Sequence, residues 1–159
     1  MGKQTKTNAM RMLDKASIAY EAIEYAYDDS DLSGTTIAKN AGLDPDIVFK
    51  TLVARGDKTG IIVMCIPVEK EVDLKKAASV SGNKKVEMLH VKDLLQNTGY
   101  IRGGCSPVGM KKAYPTYVDA SVANHEKITV SAGIKGCQLL VNADELVAYL
   151  RATVENITM

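Results

Sequence analysis

The sequence has few of the residues on which most enzyme chemistry depends. It contains only two histidines, His90 and His125, and neither lies in a supporting motif. The three cysteines, Cys65, Cys105 and Cys137, are widely spaced and odd in number, which argues against a disulfide framework and for a reducing compartment. No CxxC, HxxxH or Cys–His pair has the spacing of a zinc site. The sequence therefore predicts no metal and no cofactor.

Membrane segments and a large charge excess are also missing. No apolar run approaches the length of about 18 residues that a membrane span needs. The first 15 residues lack the apolar centre of a signal peptide, so we expect a cytoplasmic protein with no membrane partner. With 20 basic and 19 acidic residues, the formal net charge is +1, and the chain is not expected to hold RNA by charge alone.

Composition and pattern predict a single mixed α/β domain over residues 1–159. Hydrophobic residues make up 46% and charged residues 25% of the chain, which is ordinary for a globular protein. We find no linker, repeat or break in composition. Many short strands separated by short helices do not give a regular βαβ alternation, so we predict a curled or barrel-like mixed sheet surrounded by short helices.

Capping residues, glycines and apolar runs predict the order of the elements. A first helix begins at a cap on Thr7 or Asn8 and runs to about Ala16, and a second lies between a Ser33 cap and Gly42. Further helices are predicted at 73–80, 91–97 and 143–152, and strands at 20–27, 49–55, 61–67, 85–88, 116–119, 127–131 and 138–141. The strand at 61–67 is apolar throughout, so it should be central and covered on both faces.

The segment 99–112 is the first candidate site, because four glycines, a Ser-Pro pair and two lysines expose its backbone to a ligand. Gly104 and Gly109 have the spacing of a P-loop, but Met110 stands where that motif needs lysine, which excludes a nucleoside triphosphatase. A purely structural glycine turn remains an alternative. Cys105 lacks a histidine that could act as its base, so a small buried apolar role is favoured over a nucleophile.

Lys50 and the segment 131–136 are the other candidates. Lys50 lies among apolar neighbours in a predicted strand, and lysine is rarely buried without a partner. Either it points outward past the sheet, or it lies at the mouth of a pocket and meets an anionic or carbonyl oxygen. In the second segment, a strand that ends in Ser131 leads to Gly133 and Gly136, a tight turn that can present N–H groups.

Together these segments resemble the YbaK/EbsC family. The resemblance lies in VFKTLV at 48–53, GYIRGGCSPVGMKK at 99–112 and SAGIKG at 131–136, and KTNAMRML at 6–13 is similar to the family's first helix. Members of this family are freestanding relatives of the editing domain that is inserted in bacterial prolyl-tRNA synthetases. The match runs in order over nearly the whole chain.

The resemblance implies a mixed α/β deacylase that acts on the 3′ aminoacyl-adenosine end of mischarged tRNA. In the YbaK branch, the substrate is cysteine esterified to tRNA(Pro), and the thiol of the substrate attacks its own ester. Prolyl-tRNA synthetase is the implied partner, and it would supply the tRNA selectivity that a nearly neutral domain lacks.

The resemblance also implies site residues. The essential lysine of the family corresponds to Lys50, and its glycine pair to Gly103 and Gly104, which we expect to donate backbone N–H groups to the ester carbonyl. Gln138 departs from the pattern, because some relatives have an acidic residue there, and we assign it no role. The residues expected to bind the substrate are Tyr25, Thr51, Ser106, Pro107, Ser131 and Gly133.

Two other functions remain open from the sequence. A sibling deacylase would act on alanyl-tRNA(Pro), although the GGCSP form followed by two lysines favours the cysteine branch. A binding module would keep the fold but bind a nucleotide or an aminoacyl-adenosine without turnover, and the presence of Lys50 argues against it.

Overall fold

The strands of the protein form two sheets in a computed structural model that describes residues 6–31 and 33–159. The helices of these ranges are α1 (Asn8–Lys15), α2 (Gly34–Ala41), α3 (Leu74–Ser81), α4 (Val91–Thr98) and α5 (Ala143–Leu150). The strands are β1 (Tyr20–Glu24), β2 (Phe49–Gly56), β3 (Gly60–Pro67), β4 (Val86–Met88), β5 (Thr116–Asp119), β6 (Lys127–Ser131), β7 (Cys137–Asn142) and β8 (Thr153–Glu155). Short 3-10 helices cover Pro45–Ile47 and Ala120–Asn124.

A mixed sheet of five strands has the order β4-β2-β3-β5-β8. β2 and β3 form an antiparallel hairpin that is paired from Phe49 with Pro67 to Gly56 with Gly60. β5 joins β3, and β8 joins β5, in parallel register. Strands flank β3 on both sides, and its residues 61–67 are all buried. The predicted central position of this strand is confirmed.

The second sheet has three antiparallel strands in the order β1-β7-β6. Side chains alternate between the two faces of a strand. On one face of β6 and β7, residues such as Val130 and Leu139 pack into a large apolar core. Leu13 of α1, Phe49 of β2 and Leu146 of α5 pack into the same core. The opposite face of β6 and β7 carries polar side chains and borders the cavity described below.

An isolated parallel bridge joins the two sheets. It pairs Val48, just before β2, with Thr129 of β6. The pairing does not continue along the two strands, so the strands do not close into a barrel. The two sheets therefore meet at Val48, just before the first residues of β2, and remain separate sheets.

Helix boundaries are set by local signals, as the sequence predicts. The residue before each of four helices accepts a hydrogen bond from a backbone N–H group of the first turn, and a left-handed glycine follows three helices. The capping residues are Thr7, Ser33, Asp73 and Asn142, and the closing glycines are Gly42, Gly82 and Gly99.

The predicted mixed α/β class is confirmed, with two differences in detail. β1 ends at Glu24 rather than at Tyr27, because Glu24 pairs with Cys137, the first residue of β7. The exposed three-residue strand β8 is not predicted, since three residues are too few for an alternating pattern to mark a strand. Among the described residues, no helix has the length and apolar character to cross a membrane.

Candidate functional site

A cavity of about 600 Å³ opens where the two sheets meet, and its volume is typical of a small-molecule site. The start of β2 forms one wall, and the polar face of β6 and β7 forms another. The N-terminus of α2, the turn after β3 and the loop after α4 complete it. The lining includes Ser33, Gly34, Val48, Lys50, Thr51, Glu69, Glu71, Arg102, Gly103, Cys105, Ser131 and Gln138.

Lys50 reaches this cavity because it lies between two apolar clusters on one face of β2. The alternation of side chains places Lys50 on the same face as Val48 and Leu52. Val48 belongs to the cluster that α2 covers, and Leu52 packs against the cluster that α3 covers. Neither helix covers Lys50, and its half-buried side chain makes no ion pair with any described residue.

The polar face of the three-stranded sheet lies on the other side of the cavity. Ser131 and Gln138 are paired across β6 and β7, and both are buried and line the cavity. Thr129 donates its hydroxyl to Gln138 Oε1 at 3.1 Å. Burial raises the pKa of Tyr25, and a hydrogen bond with the Gln138 side chain partly offsets the rise. Tyr25 therefore lies against Gln138, outside the cavity lining.

The glycine-rich loop 99–112 presents Gly103 to the cavity but not Gly104. The N–H group of Gly104 donates to the Ile101 carbonyl at 3.0 Å, so it is not available to a ligand. A Cβ atom at Gly104 would lie 3.1 Å from the backbone of Ile134, and glycine therefore allows this loop to pack directly on the turn after β6. The predicted donor role is left to Gly103, whose N–H group donates to no described residue.

Ser106 and Pro107 form a buried part of the same loop. The Ser106 hydroxyl accepts a hydrogen bond from the Val108 N–H group at 3.2 Å. Both residues are buried, and neither lines the cavity. In these positions they shape the loop, and their predicted contact with a substrate stays a prediction.

Gly133 also lies outside the cavity lining, in the turn that follows β6. Its φ of +97° favours glycine, and a Cβ atom would come within 2.8 Å of Tyr100 Cε1. Its N–H group donates to the Ser131 hydroxyl at 3.1 Å. Tyr100 in turn donates its hydroxyl to the Val108 carbonyl. Gly133 thus holds Ser131 and places the turn against the glycine-rich loop.

Cys105 lines the cavity but is poorly suited to nucleophilic attack. Burial raises the pKa of its thiol to about 12, so little thiolate is present at neutral pH. Cys65, which pairs with Thr51 across the β2–β3 hairpin, also has its pKa raised to about 12 by burial. The Thr51 hydroxyl lies 4.0 Å from the Cys65 sulfur, inside the wall of the cavity.

The cavity can bind and orient a charged ligand, but it lacks a conventional catalytic pair. Its lining includes two basic side chains, Lys50 and Arg102, and two acidic ones, Glu69 and Glu71. No histidine belongs to the lining as far as the structure describes it. Within the same residues, no group of three or more His, Cys, Asp or Glu side chains is placed to hold a metal ion.

Sequence reasoning found part of this cavity and missed the rest. The sequence prediction assigns Gln138 no role. Its position between apolar residues of one strand, beside a second strand with the pattern Thr-x-Ser, is nevertheless a usable signal. The predicted residues that line the cavity are Lys50, Thr51, Gly103 and Ser131, and those that support it from outside are Tyr25, Gly104, Ser106, Pro107 and Gly133. The missed lining residues include Ser33, Gly34, Glu69, Glu71, Arg102 and Gln138.

Known proteins resemble this chain in both sequence and fold. The family model for the aminoacyl-tRNA editing domain matches residues 33–149. EbsC of Enterococcus faecalis, named as a candidate Cys-tRNA(Pro)/Cys-tRNA(Cys) deacylase, is 46% identical over 155 residues, which are 98% of this chain and 94% of EbsC. The crystal structure of a candidate trans-editing enzyme for prolyl-tRNA synthetase has a TM-score of 0.84 at 21% identity, over 98% of this chain and 99% of that one. A hypothetical protein of known structure has a TM-score of 0.87 at 18% identity, over 96% of this chain and 100% of that one.

The fold and the site define a mixed α/β domain with a lysine-bearing cavity between two sheets. The family model covers most of the chain, and the similarity to EbsC extends over nearly all of it. The chain belongs to the aminoacyl-tRNA editing domain family. The resemblance to YbaK/EbsC proteins that the sequence motifs indicate is confirmed.

Proposed function

We propose that the protein is a trans-editing deacylase that removes cysteine from mischarged tRNA(Pro). The observation that carries the proposal is Lys50, a cation without an ionic partner among the described residues, in the wall of a cavity of about 600 Å³ in an editing-domain fold. The name of EbsC supports cysteine as the amino acid.

Editing is needed because a synthetase discriminates poorly between small side chains. Pocket discrimination of this kind amounts to only about 1–3 kcal/mol, so cysteine and alanine enter a site built for proline. A second site can then remove the wrong amino acid. The aminoacyl ester is an activated bond, so a site that orients it need not supply a strong nucleophile.

The cysteine side chain of the substrate supplies the nucleophile in the proposed reaction. Its sulfur attacks the ester carbonyl carbon, and a C–S bond forms as the carbonyl oxygen gains negative charge. The C–O bond to the ribose then breaks, the thiol proton ends on the ribose oxygen, and the amino acid leaves as a cyclic thioester. A thiol of ordinary pKa, about 8.5, provides some thiolate at neutral pH, and orientation in the cavity contributes several kcal/mol.

Three lining residues have roles in this proposal. Lys50 holds the ester carbonyl or the terminal ribose phosphate through charge-assisted hydrogen bonds. The free N–H group of Gly103 donates to the carbonyl oxygen, where charge develops. Ser131, fixed by its hydrogen bond from Gly133, holds the terminal adenosine. The lack of a histidine in the described lining fits a nucleophile that the substrate itself provides.

Prolyl-tRNA synthetase is the proposed partner, and the cytoplasm is the proposed location. The net charge of +1 gives the domain little electrostatic attraction for tRNA. A synthetase that has just charged the tRNA would bring the substrate to it and supply selectivity for tRNA(Pro).

The test is hydrolysis of cysteinyl-tRNA(Pro) by the wild-type protein, by Lys50→Ala and by Lys58→Ala. Lys58 is an exposed lysine in the turn of the same hairpin, so it is the matched control. We expect Lys50→Ala to lose at least about 100-fold in rate, the scale of one donor at a developing charge, and to keep its unfolding temperature. Lys58→Ala should retain full activity. Full activity in Lys50→Ala would contradict the assignment.

A further inference from the structure

Gln138 is the most deeply buried polar side chain of the cavity lining whose role the proposed reaction does not use. It is 4% exposed and lies between two core residues of β7. Thr129, on the neighbouring strand β6, is 0% exposed and lies outside the lining. The only side-chain hydrogen bond described for Thr129 is the one that it donates to Gln138 Oε1 at 3.1 Å.

This contact fixes which end of the amide is available to a ligand. A primary amide has an oxygen that accepts hydrogen bonds and an NH2 group that only donates them. Because the Thr129 hydroxyl donates to Oε1, the oxygen is directed at β6 and Nε2 is directed away from it. The hydrogen bond between the Gln138 side chain and Tyr25, which follows β1, lowers the pKa of Tyr25, so the amide NH2 group donates it to the phenol oxygen. This bond limits rotation of the amide further and leaves the second N–H of Nε2 for a ligand.

We propose that Thr129 is a positioning residue that holds the Gln138 NH2 group toward the cavity, where it donates to the ester carbonyl oxygen of the aminoacyl group. This inference rests on the proposed deacylase function and adds an orientation to it. The α-ammonium group of an aminoacyl ester can only donate, so it is not accommodated beside another donor. The ester carbonyl accepts, so the amide directs the carbonyl to the β6–β7 wall and the ammonium group away from it.

The experiment compares Thr129→Val, which removes the hydroxyl at nearly constant volume, with Thr129→Ser, which keeps it. Thr116→Val is the matched control, because Thr116 is a buried threonine of β5 whose hydroxyl donates to the Tyr114 carbonyl. Deacylation of cysteinyl-tRNA(Pro) gives kcat and KM. Binding of 3′-cysteinylamino-3′-deoxyadenosine, a stable amide analogue, gives a readout that does not require turnover.

We expect Thr129→Val to lose about five- to tenfold in kcat/KM, the scale of one hydrogen bond. Thr129→Ser should stay within about twofold of the wild type, and Thr116→Val should keep its activity. An unchanged Thr129→Val, or a Thr129→Ser variant that is equally impaired, would overturn the inference, since the second result would show a packing effect.

A third variant, Gln138→Glu, tests the direction of the hydrogen bond. A carboxylate at this position accepts, whereas the protonated acid can donate. The activity of this variant relative to the wild type should therefore rise as the pH falls and the acid becomes protonated. A constant ratio over pH 5–8 would overturn the inference.

Failure of the proposed function is distinguishable from failure of this inference. If the wild-type protein cleaves no aminoacyl ester, the deacylase proposal fails. Binding of the analogue then tests the role of Thr129 without turnover. Binding that is five- to tenfold weaker in Thr129→Val than in the wild type supports the positioning role. Equal binding to the wild type and to Thr129→Val overturns it.

Discussion

Lys50 shows how one residue acquires a function from its neighbours along a strand. Val48 and Leu52, two positions before and after it, belong to apolar clusters under different helices. The gap between these clusters leaves the lysine half-buried in the wall of the cavity, where the two sheets meet. The sequence indicates an unusual lysine through its apolar context, but only the positions of α2 and α3 show that it faces a cavity.

Cys105 also lines the cavity, but unlike Lys50 it is predicted to have no role in catalysis. Burial raises the pKa of its thiol to about 12. Cys105→Ser should therefore retain most of the deacylase activity. In the native protein, alkylation of Cys105 by iodoacetamide should be slow at pH 8 and should rise about tenfold per pH unit, since the thiolate reacts.

Alkylation of the unfolded protein in denaturant at pH 8 is the control, because an exposed thiol has its ordinary pKa and reacts quickly. An inactive Cys105→Ser variant together with rapid native alkylation would restore a thiol nucleophile to the site.

At the scale of elements, the start of α1 ties together the two loops that border the cavity. The Thr7 hydroxyl donates to the Ala132 carbonyl at 2.6 Å, in the turn after β6. Asn8 Nδ2 donates to the Gly109 carbonyl at 3.0 Å, in the glycine-rich loop. Residues 6–13, at the start of α1, do not line the cavity, yet they are among the segments that resemble the family. These contacts with the two loops give a structural reason for that.

Gly133→Ala should weaken this arrangement more than an alanine at another left-handed glycine. The new Cβ atom adds a clash with Tyr100, 2.8 Å away, to the strain of a positive φ. We expect the free energy of unfolding to fall by about 2–4 kcal/mol, measured by urea denaturation. Gly42→Ala is the control, since nothing lies within 4 Å of a Cβ atom there, and it should cost only about 1 kcal/mol.

Equal losses in the two variants would mean that the contact between Gly133 and Tyr100 does not constrain the turn.

The elements themselves are predictable where their signals are local. Thr7, Ser33 and Asn142 cap helices at the predicted positions, because a cap depends only on the next three residues. β8 is not predictable in this way, because its three exposed residues become a strand only by pairing with β5. The separation of the strands into two sheets is equally non-local.

At the scale of the whole molecule, the cavity depends on how the two sheets are placed. Lys50 and Ser131 belong to different sheets and can be connected from sequence only through the family motifs. Glu69 and Glu71 line the same cavity, yet acidic residues in a turn carry no signal until the fold is known. The candidate site is thus predictable in its motif residues and not in its complete lining.

The low net charge leads to a prediction about assembly. The protein alone should bind tRNA(Pro) weakly, and binding should weaken further as salt rises. Addition of prolyl-tRNA synthetase should give a complex with tRNA that co-elutes in size-exclusion chromatography. Failure of the three components to associate at any salt concentration would count against this partner.

The most direct test of the central proposal compares three substrates: cysteinyl-tRNA(Pro), S-methylcysteinyl-tRNA(Pro) and alanyl-tRNA(Pro). If the thiol of the substrate is the nucleophile, only the ester with a free thiol is cleaved rapidly. Equal cleavage of the S-methylated substrate would contradict the account, because the protein or a water molecule would then supply the nucleophile. No cleavage of any of the three would favour a binding module instead.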